Sequence, residues 1–517
     1  MPAIHLRSLA GSLLGLLMLL QGCASLPSLA GRSTSTTLEP VRDSQLGRAI
    51  LPLTDAHSDR SGVIALKHGL DAFAARVLLA DAAERTLDVQ YYIWRADLSG
   101  TLLIEALRRA AARGVRVRLL LDDANTSGLD EQLAALAALP NVEVRLFNPF
   151  AGRGSRALGY VFDFERLNRR MHNKSFTVDN LATVVGGRNV GDEYFEAGNE
   201  VLFVDLDALA IGPVVADVSK NFDRYWASDS AYPVERIVPA IGVSTSSARL
   251  ASAATVEQSA AADEYRTAVA ESPLVRDLLA NRLSFDWSTV RMVSDDAAKG
   301  LGLASADQLL WTRMKAATSP PRLSFKLLSP YFVPGEKGTA DLAEMARRGV
   351  KVQILTNSLE STDVVPVHAG YAKRRKALLE AGVVLYEVKR SSLEPTKTQV
   401  GGGSKGVSGS SLHAKTFSLD DQLIFIGSFN FDQRSAKLNT EMGFLIESPE
   451  LAAELAETFQ TEIPARAYQV RLASDGKLEW VERIDGKEVV HKEEPGASMM
   501  NRIGVSVLSW LPIEWLL

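Results

Sequence analysis

Two short segments of the chain carry the same reactive side chains in the same order. In each segment a histidine is followed by a lysine two positions later, an aspartate seven positions later and an asparagine seventeen positions later. In-line displacement at a phosphodiester needs a nucleophile on one side of the phosphorus and an acid on the other. The duplicated set therefore predicts one active site assembled from two related halves. The residues are His172, Lys174, Asp179 and Asn189 in the first copy and His413, Lys415, Asp420 and Asn430 in the second.

The residues around each histidine indicate how the side chains are presented. We predict a strand over residues 171–178. Because side chains alternate between the two faces of a strand, His172 and Lys174 would lie on the same face. His413 and Lys415 repeat this pattern. The two lysines and the two motif asparagines would then donate hydrogen bonds to the phosphate oxygens as negative charge builds up on them.

Two pairs of acids accompany the motifs. Asp179 and Asp420 fall where a strand turns, a place where aspartate commonly binds its own backbone, so we expect both to be structural. Glu200 and Glu441 each lie 28 positions after a motif histidine. A carboxylate that holds one imidazole nitrogen as a donor frees the other to attack and stabilises the imidazolium. We expect Glu200 and Glu441 to orient the histidines in this way, the alternative being exposed or salt-bridged glutamates.

The sequence contains no pattern typical of a metal site. It has no His-Glu-x-x-His motif, no pair of cysteines and no cluster of carboxylates at ligand spacing. We therefore expect neither a metal nor another cofactor, and we assign the phosphoryl chemistry to the two histidines and the two lysines.

Length and periodicity predict the elements that must position these side chains. The 517 residues are enough for two or three domains, and the duplication favours two. Each half contains a strand, a helix that ends at a glycine and a second strand, which predicts an α/β fold with helices covering a sheet. The segments are 87–94, 102–110 and 115–121 with Gly114 in the first half, and 323–328, 342–346 and 350–355 with Gly349 in the second.

The N-terminus is typical of a targeting segment. Arg7 precedes an apolar run over residues 13–20, which is shorter than the roughly 20 residues that span a bilayer. The run ends in Leu20-Gln21-Gly22-Cys23, which resembles the bacterial lipoprotein signal, whose cysteine is lipidated and becomes the first mature residue. Cys23 is the only cysteine, so no internal disulfide can form. We expect a protein of the bacterial cell envelope anchored to a membrane by lipidated Cys23; an ordinary signal peptide with a leftover thiol is the alternative.

Composition and turn-forming residues indicate where the domains of the chain begin and end. At its end, Asp485-Gly486 predicts a hairpin. For Trp510 and Trp515 in the apolar tail, burial against the domain is favoured over contact with a membrane interface. The predicted division is 1–22 as signal peptide, 23–55 as flexible tether, 56–240 as first domain, 241–265 as Ala- and Ser-rich linker, 266–470 as second domain, and 471–517 as hairpin and apolar tail.

The repeated pattern His-x-Lys-x4-Asp-x6-Gly-(Gly/Ser)-x-Asn resembles the motif of the phospholipase D superfamily. Within that superfamily, residues 88–94, 166–174 and 186–195 resemble the bacterial cardiolipin synthases, and the branch that joins phosphatidylglycerol with phosphatidylethanolamine in particular. The resemblance implies two repeated domains, each a mixed β-sheet flanked by helices, related by a pseudo-twofold axis and sharing one active site. It also implies a phosphohistidine intermediate, with His172 as nucleophile and His413 as acid and base.

Three functions are compatible with these residues. The first is a cardiolipin synthase, in which a lipid alcohol accepts the phosphatidyl group, and the second is a phospholipase D or nuclease, in which water does. The lipid anchor and the net charge of -5 weigh against a nuclease, and no nucleic-acid partner is expected. The third is an inactive lipid-binding envelope protein, against which the intact motifs argue. The expected partners are phospholipid substrates and a membrane surface.

Overall fold

The computed structural model describes residues 25–154, 156–197, 202–280, 282–390, 410–484, 486–511 and 514–517. The first half contains the strands β1 Ser61–Leu66, β2 Thr86–Ile93, β3 Arg116–Asn125, β4 Val142–Phe147, β5 Ser175–Val178, β6 Ala182–Gly186, β7 Leu202–Val204, β8 Asp207–Ile211 and β9 Ala231–Pro233. The second half contains β10 Asp286–Ser294, β11 Ser324–Leu328, β12 Lys351–Asn357, β13 Val384–Val388, β14 Ser410–Leu412, β15 Thr416–Leu419, β16 Leu423–Gly427, β17 Met442–Glu447, β18 Ala467–Leu472, β19 Leu478–Ile484 and β20 Lys487–His491.

Helices connect these strands and cover the sheet. Those up to residue 279 are α1 Gln45–Asp55, α2 Gly69–Ala82, α3 Leu98–Ala112, α4 Asp130–Ala137, α5 Arg156–Phe162, α6 Phe164–Leu167, α7 Asp192–Phe195, α8 Val214–Trp226, α9 Val234–Ile237, α10 Val243–Glu257, α11 Ala260–Ala270 and α12 Pro273–Leu279. The later ones are α13 Leu310–Ala317, α14 Gly335–Arg347, α15 Val365–Ala372, α16 Arg375–Glu380, α17 Gln433–Lys437, α18 Pro449–Gln460, α19 Ile463–Arg466 and α20 Met499–Ser509. Short 3-10 helices span Ala297–Leu301, Ala306–Gln308 and Glu514–Leu516.

The strands of the two halves follow the same order in the sheet. From its outer edge inward, the first half runs β9, β4, β3, β2, β5, β6, β8, β1. The second half runs β18, β13, β12, β11, β15, β16, β17, β10, with β19 and β20 added outside β18. In both halves three parallel strands adjoin an antiparallel hairpin, and that hairpin directly follows the motif histidine and lysine. The prediction of a repeated α/β fold is confirmed.

The two sheets meet edge to edge. Strands β1 and β10 pair antiparallel, with Ser61 opposite Ser288, and antiparallel pairing of equivalent edge strands is what a pseudo-twofold axis generates. Each half has its own apolar core, and a third apolar cluster lies between the halves. This shared cluster fixes one half against the other, and it includes Val185 and Ala208 from the first half and Ile426 and Phe444 from the second.

The predicted strand–helix–strand units are present in both halves. Strands β2 and β3 flank α3 in the first, and β11 and β12 flank α14 in the second. Gly114 and Gly349 follow the two helices with φ angles of 93° and 90°. A side chain is strained in this left-handed region, so glycine is suited to ending each helix there.

The motif strand is shorter than predicted. Strand β5 begins only at Ser175, and Met171 makes an isolated bridge to Thr440 in the other half. His172 and Lys174 therefore do not share a face of a regular strand. The period-two pattern failed because the backbone at Met171 pairs across the interface between the halves instead of continuing the ladder.

The segment predicted as an Ala- and Ser-rich linker is helical and packs on the first half. Helices α10 and α11 occupy most of it, in keeping with the high helix propensity of alanine. Ala262 and Tyr265 are buried in the first core, and the Tyr265 hydroxyl donates to the Phe195 carbonyl oxygen at 2.8 Å. The first half therefore extends at least to Ala270.

The described part of the predicted tether also packs on the first half. Arg32 donates to the carbonyl oxygen of Ser228 at 2.7 Å. The buried guanidinium groups of Arg145 and Arg118 donate to the carbonyl oxygens of Ser33 and Ser35, at 2.7 and 2.9 Å. The expectation of a flexible segment is wrong here because these backbone carbonyls satisfy buried cations that composition alone does not reveal.

At the C-terminal end the predicted hairpin forms from β19 and β20, and Gly486 takes the expected positive φ of 76°. The expected burial of the tail tryptophans is wrong, since Trp510 is 88% exposed and Trp515 is 53% exposed. Within the described ranges, no helix has the length and apolar character needed to cross a bilayer.

The motif aspartates bind backbone groups, but not their own. Asp179 accepts hydrogen bonds from the N–H groups of Glu84, Arg85 and Thr86 at 3.0, 2.8 and 2.8 Å. Asp420 binds the equivalent N–H groups that lead into β11. Burial alone would raise the pKa of Asp420, but these backbone donors hold it below its ordinary value. Each aspartate thus ties the motif hairpin to the first parallel strand, which supports a structural role.

Replacing Asp179 with alanine should lower the free energy of unfolding by about 2 to 3 kcal/mol, because three N–H groups lose a charged acceptor. Asp179→Asn should recover part of this loss, since its amide oxygen can still accept and asparagine tolerates the local φ of 50°. Denaturant unfolding of the purified variants measures the difference. The matched control is Asp475→Asn in an exposed turn, and equal stability of the Asp179→Ala and wild-type proteins would contradict the assigned role.

Candidate active site

Each motif histidine makes a main-chain hydrogen bond to the other half of the chain. The N–H group of His172 donates to the carbonyl oxygen of Thr440 at 2.9 Å. In the equivalent place β14 pairs with β7, and the N–H group of His413 donates to the carbonyl oxygen of Val204 at 2.8 Å. Thr440 and Val204 each stand directly before an acid. Each pairing therefore brings an acid of one half beside the histidine of the other.

The acids are exchanged between the halves. Oε2 of Glu441 lies 2.8 Å from Nδ1 of His172, and Oδ2 of Asp205 lies 2.5 Å from Nδ1 of His413. All four side chains are buried. A carboxylate that accepts a hydrogen bond from Nδ1–H fixes the tautomer and leaves Nε2 with its lone pair. Both imidazoles are thereby prepared for chemistry at Nε2.

Of the two acids predicted to orient the histidines, Glu441 and Glu200, the structure describes only Glu441. Glu441 contacts a histidine, but it is His172 and not the histidine 28 positions before it. Glu200 lies outside the described residues, and Asp205 is the acid that contacts His413. Asp205 was not predicted, because it comes 33 positions after His172 and not 28. Counting back from the next strand could have found it, since Glu441 and Asp205 stand one and two positions before the equivalent strands β17 and β8.

The two motifs differ at the position of Gly187 and Ser428, and each of these residues suits the acid beside it. A Cβ atom at Gly187 would lie 2.1 Å from Oδ1 of Asp205, so a side chain there would displace this carboxylate. The second motif has Ser428 instead, and its hydroxyl donates to Oε2 of Glu441 at 2.5 Å. Ser435 donates to the other oxygen of Glu441 at 2.8 Å. Glu441 is therefore hydrogen-bonded to two hydroxyl groups as well as to His172.

The lysines are buried beside the histidines. Nζ of Lys174 donates to the carbonyl oxygen of His172 at 2.6 Å, and Lys415 donates to the carbonyl oxygen of His413. Burial lowers the pKa of both lysines below its ordinary value, although Glu441 and Asp205 act in the opposite direction. An anionic phosphodiester between the lysines would supply the negative charge that favours their protonated form.

Electrostatics distinguish the two histidines. Burial lowers the pKa of both, and the charges of Lys174, Lys415 and His413 push that of His172 further down, well below its ordinary value. At His413, burial and Lys415 lower the pKa while the Asp205 carboxylate opposes them. His413 is therefore the better placed of the two to hold a proton, and His172 is kept neutral.

The pKa values of the two acids, Asp205 and Glu441, are shifted in opposite directions. Burial would raise the pKa of Asp205, but His413, Lys415 and Arg188 bring it below its ordinary value, so Asp205 is ionised at neutral pH. Burial raises the pKa of Glu441 to about 7 despite the nearby Lys174. Glu441 therefore offers His172 less negative charge than Asp205 offers His413.

The motif asparagines lie in the same buried site but are engaged differently. Oδ1 of Asn189 accepts from the N–H group of Ile93 at 3.2 Å, and its Nδ2 donates to the hydroxyl of Tyr194 at 3.0 Å. This leaves Asn189 one further N–H for a ligand. Oδ1 of Asn430 is buried and makes no hydrogen bond within the described residues.

Three aromatic rings that the motifs did not predict pack on the histidines. The ring of Tyr92 lies 4.9 Å from that of His172, and the ring of Tyr194 lies 5.1 Å from that of His413, both edge-on. Phe203 stacks on His413 at 4.9 Å. These rings restrict the orientation of each imidazole. Cys23, the predicted lipidation site, lies outside the described residues, and those residues hold no group of three or more His, Cys, Asp or Glu side chains arranged to bind a metal.

The chain is similar to known proteins in both of its halves. The family described as "Cardiolipin synthase, PLD-like domain" matches residues 78–226 and 312–463, one region in each half. Cardiolipin synthase C of Escherichia coli is 50% identical over 473 residues, which cover 92% of this chain and 100% of that protein. Cardiolipin synthase A of Pseudomonas entomophila is 26% identical over 76% of this chain and 67% of that protein. The crystal structure of phosphatidylserine synthase from Haemophilus influenzae shares the fold, with a TM-score of 0.53 at 12% identity, covering 90% of this chain and 98% of that one.

Proposed function

The chain belongs to the phospholipase D-like cardiolipin synthase family and is a phosphatidyltransferase, and we propose that it forms cardiolipin from phosphatidylglycerol and a second phospholipid through a phosphohistidine. The second lipid is phosphatidylethanolamine or another phosphatidylglycerol. The observation that carries this proposal is the exchange of acids, in which Glu441 and Asp205 each prepare the histidine of the opposite half. Two imidazoles primed at Nε2 meet the need for a nucleophile and an acid around one phosphorus.

In the first step Nε2 of His172 attacks the phosphorus of the donor lipid. The bond from phosphorus to the headgroup oxygen breaks, and His413 gives its Nε2 proton to that oxygen, so the headgroup leaves as a neutral alcohol. The phosphatidyl group is then held on His172. Lys174, Lys415 and the remaining N–H of Asn189 stabilise the negative charge on the phosphate oxygens.

In the second step the alcohol of the acceptor lipid gives its proton to His413 and attacks the phosphorus. The bond to His172 breaks and the new phosphodiester leaves, which restores both imidazoles. The electrostatics support these roles, because a nucleophile must be neutral and an acid must hold a proton. The low pKa of His172 and the ionised Asp205 beside His413 support this assignment.

Mass spectrometry of the products tests the proposal. Purified protein is incubated in mixed micelles with phosphatidylglycerol alone and with phosphatidylethanolamine added. We expect cardiolipin together with a released alcohol, and glycerol or ethanolamine in the medium identifies the donor. Phosphatidic acid without cardiolipin would mean that water is the acceptor and would replace this proposal with a phospholipase D.

We further propose that lipidated Cys23 follows a signal peptide of residues 1–22 and anchors the enzyme to a membrane of the cell envelope. Replacing Cys23 with serine should abolish incorporation of labelled fatty acid and make the protein extractable from membranes by alkaline carbonate. The reason is that each buried methylene of an acyl chain contributes about 0.8 kcal/mol to membrane binding. Incorporation of label into the Cys23→Ser protein would contradict the assignment.

A further inference from the structure

One face of helix α20 is apolar and open to solvent. Its side chains recur three or four positions apart, so they form a single stripe along the helix. Trp510, at its end, is 88% exposed, and Trp515 continues the surface beyond the helix at 53%. The stripe consists of Met499, Met500, Ile503, Val507, Trp510 and Leu511, which are between 45% and 88% exposed.

The opposite face of α20 fixes the helix to the second half. Val505 is buried against Leu359 and Ala369, and Leu508 packs on the same cluster. Ser498 caps the first turn, because its hydroxyl accepts a hydrogen bond from the N–H group of Asn501 at 3.1 Å. The helix therefore presents the apolar stripe outward from a fixed position.

A second exposed apolar patch lies in the other half. Tyr160, Val161 and Phe162 of α5 and Phe164 of α6 are 37%, 71%, 49% and 44% exposed. Monomeric proteins rarely expose contiguous apolar patches without a function. We call this set the α5 patch.

The chain segments that follow the stripe and the α5 patch meet near the motifs. The chain leaves the α5 patch and reaches Asn168, four positions before His172. Arg434, four positions after Asn430, donates to Oδ1 and to the carbonyl oxygen of Asn168, each at 2.8 Å. The N–H group of Arg434 in turn donates to the main-chain oxygen of Leu517 at 2.8 Å, two residues beyond Trp515. Arg434 thus links the segment that follows the α5 patch to the segment that follows the stripe, at a position four residues after Asn430.

A groove of about 850 Å³ runs along the stripe and adds positive charge to it. Its lining includes Val507 and Trp510 together with Lys373, Lys477, Lys492 and Arg502. The acids in the same lining are Glu493 and Glu494, so its basic side chains outnumber its acids. Arg502 pairs with Glu493, Lys477 with Asp475 and Lys373 with Glu514, whereas Lys492 has no ion-pair partner among the described residues.

We propose that the apolar stripe and the α5 patch together dock on a phospholipid bilayer that contains anionic lipid, and that this contact places the active site at the membrane interface. The inference rests on the phosphatidyl transfer that the family membership establishes, because the substrates of that reaction reside in a bilayer. Tryptophan at the edge of an apolar surface, with basic residues beside it, is the pattern of interfacial membrane contacts. Anionic headgroups match the excess of lysine and arginine in the groove.

Vesicle sedimentation tests the contact directly. The full chain is used with Cys23→Ser, so that the lipid anchor does not hold it and all proteins compared carry the same N-terminus. Trp510→Glu and Phe162→Glu should each weaken partitioning onto vesicles of equal phosphatidylglycerol and phosphatidylethanolamine by about tenfold or more, since binding scales with the apolar area inserted. The matched control is Leu279→Glu on α12, because Leu279 is 80% exposed and belongs to neither surface.

The lipid class is tested with the same assay. Lys492→Glu should reduce partitioning onto the phosphatidylglycerol-containing vesicles by about fivefold and leave the weaker binding to pure phosphatidylcholine vesicles unchanged. Equal binding by the wild-type, Trp510→Glu and Leu279→Glu proteins would overturn the proposal. So would a dimer in sedimentation velocity that Trp510→Glu dissociates without any change in vesicle binding, because the stripe would then belong to a second copy.

Activity on two forms of substrate separates this proposal from the proposed function. With short-chain phospholipids below their micelle concentration, Trp510→Glu should transfer as fast as wild type, whereas with vesicles it should be slower by about the loss in partitioning. Absence of cardiolipin with monomeric lipids in every variant would count against the proposed function alone. Equal rates on vesicles for Trp510→Glu and wild type would refute the docking surface alone.

Discussion

Replacing His172 with alanine is expected to abolish phosphatidyl transfer, because this residue forms the bond to phosphorus in the proposed mechanism. His413→Ala should also reduce transfer severely, since general acid and base catalysis contributes about 10² to 10⁴-fold. Both variants should unfold at nearly the wild-type temperature. His491→Ala, a histidine on β20 outside the site, is the matched control and should retain activity. Either active-site variant keeping more than about a tenth of the activity would refute a mechanism that needs both imidazoles.

A donor with an activated leaving group separates the roles of the two histidines. A p-nitrophenyl ester of phosphatidic acid releases an alcohol of low pKa, which leaves without help from an acid. His413→Ala should therefore still release a burst of about one p-nitrophenolate per protein molecule and retain the phosphatidyl group covalently. His172→Ala should show no burst. The reverse pattern would exchange the assigned roles.

The second large effect is expected at the exchanged acids. Because Glu441 orients His172 and Asp205 orients His413, each substitution should impair the histidine of the opposite half. Glu441→Gln should slow the burst with the activated donor by about 10²-fold or more, since an amide can donate to Nδ1 and select the wrong tautomer. Asp205→Asn should leave that burst nearly intact and slow turnover of natural phospholipids to a similar extent.

Stopped-flow measurement of the burst and steady-state turnover of both variants checks this pattern. Glu488→Gln on β20 is the matched control, because its carboxylate is exposed and lies outside the site. If Asp205→Asn lost the burst and Glu441→Gln kept it, the acids would act within their own halves and the crosswise arrangement would carry no function.

The raised pKa of Glu441, about 7, predicts the pH dependence of the first step. Above this pH the carboxylate is ionised and accepts the Nδ1 proton of His172. Below it the protonated carboxyl donates to Nδ1, so the lone pair at Nε2 is replaced by a proton and attack stops. The burst rate should therefore fall as the pH drops through about 7, and the wild-type profile should show an acidic limb that Glu441→Gln lacks. A flat profile between pH 5 and 8 in the wild type would contradict this.

Local patterns were sufficient to predict the repeated strand–helix–strand units, because each depends on periodicity and on a glycine such as Gly114 or Gly349 after the helix. The histidines and lysines of the candidate site were also predictable, since they stand in duplicated motifs. The partner of His413 was not, because the chain between His172 and Asp205 is longer than that between His413 and Glu441. Which acid faces which histidine depends on the pairing of Met171 with Thr440, a contact between halves that no local pattern encodes.

The exposure of the tail tryptophans was also not predictable from the sequence. Apolar composition favours burial, and Val505 on the same tail is indeed buried. The apolar residues on the other face of the same helix are 45% to 88% exposed, and composition alone does not distinguish a face that meets protein from one that meets solvent.

The difference between Gly187 and Ser428 has a consequence for how such a site can specialise. Two identical chains that met around one phosphorus would carry the same residue at both positions, so a substitution that improved the environment of one acid would be imposed on the other as well. In a single chain the two positions are inherited separately. Glycine can make room for the Asp205 carboxylate on one side while serine binds Glu441 on the other, and the two histidines are thereby free to diverge into a dedicated nucleophile and a dedicated proton carrier.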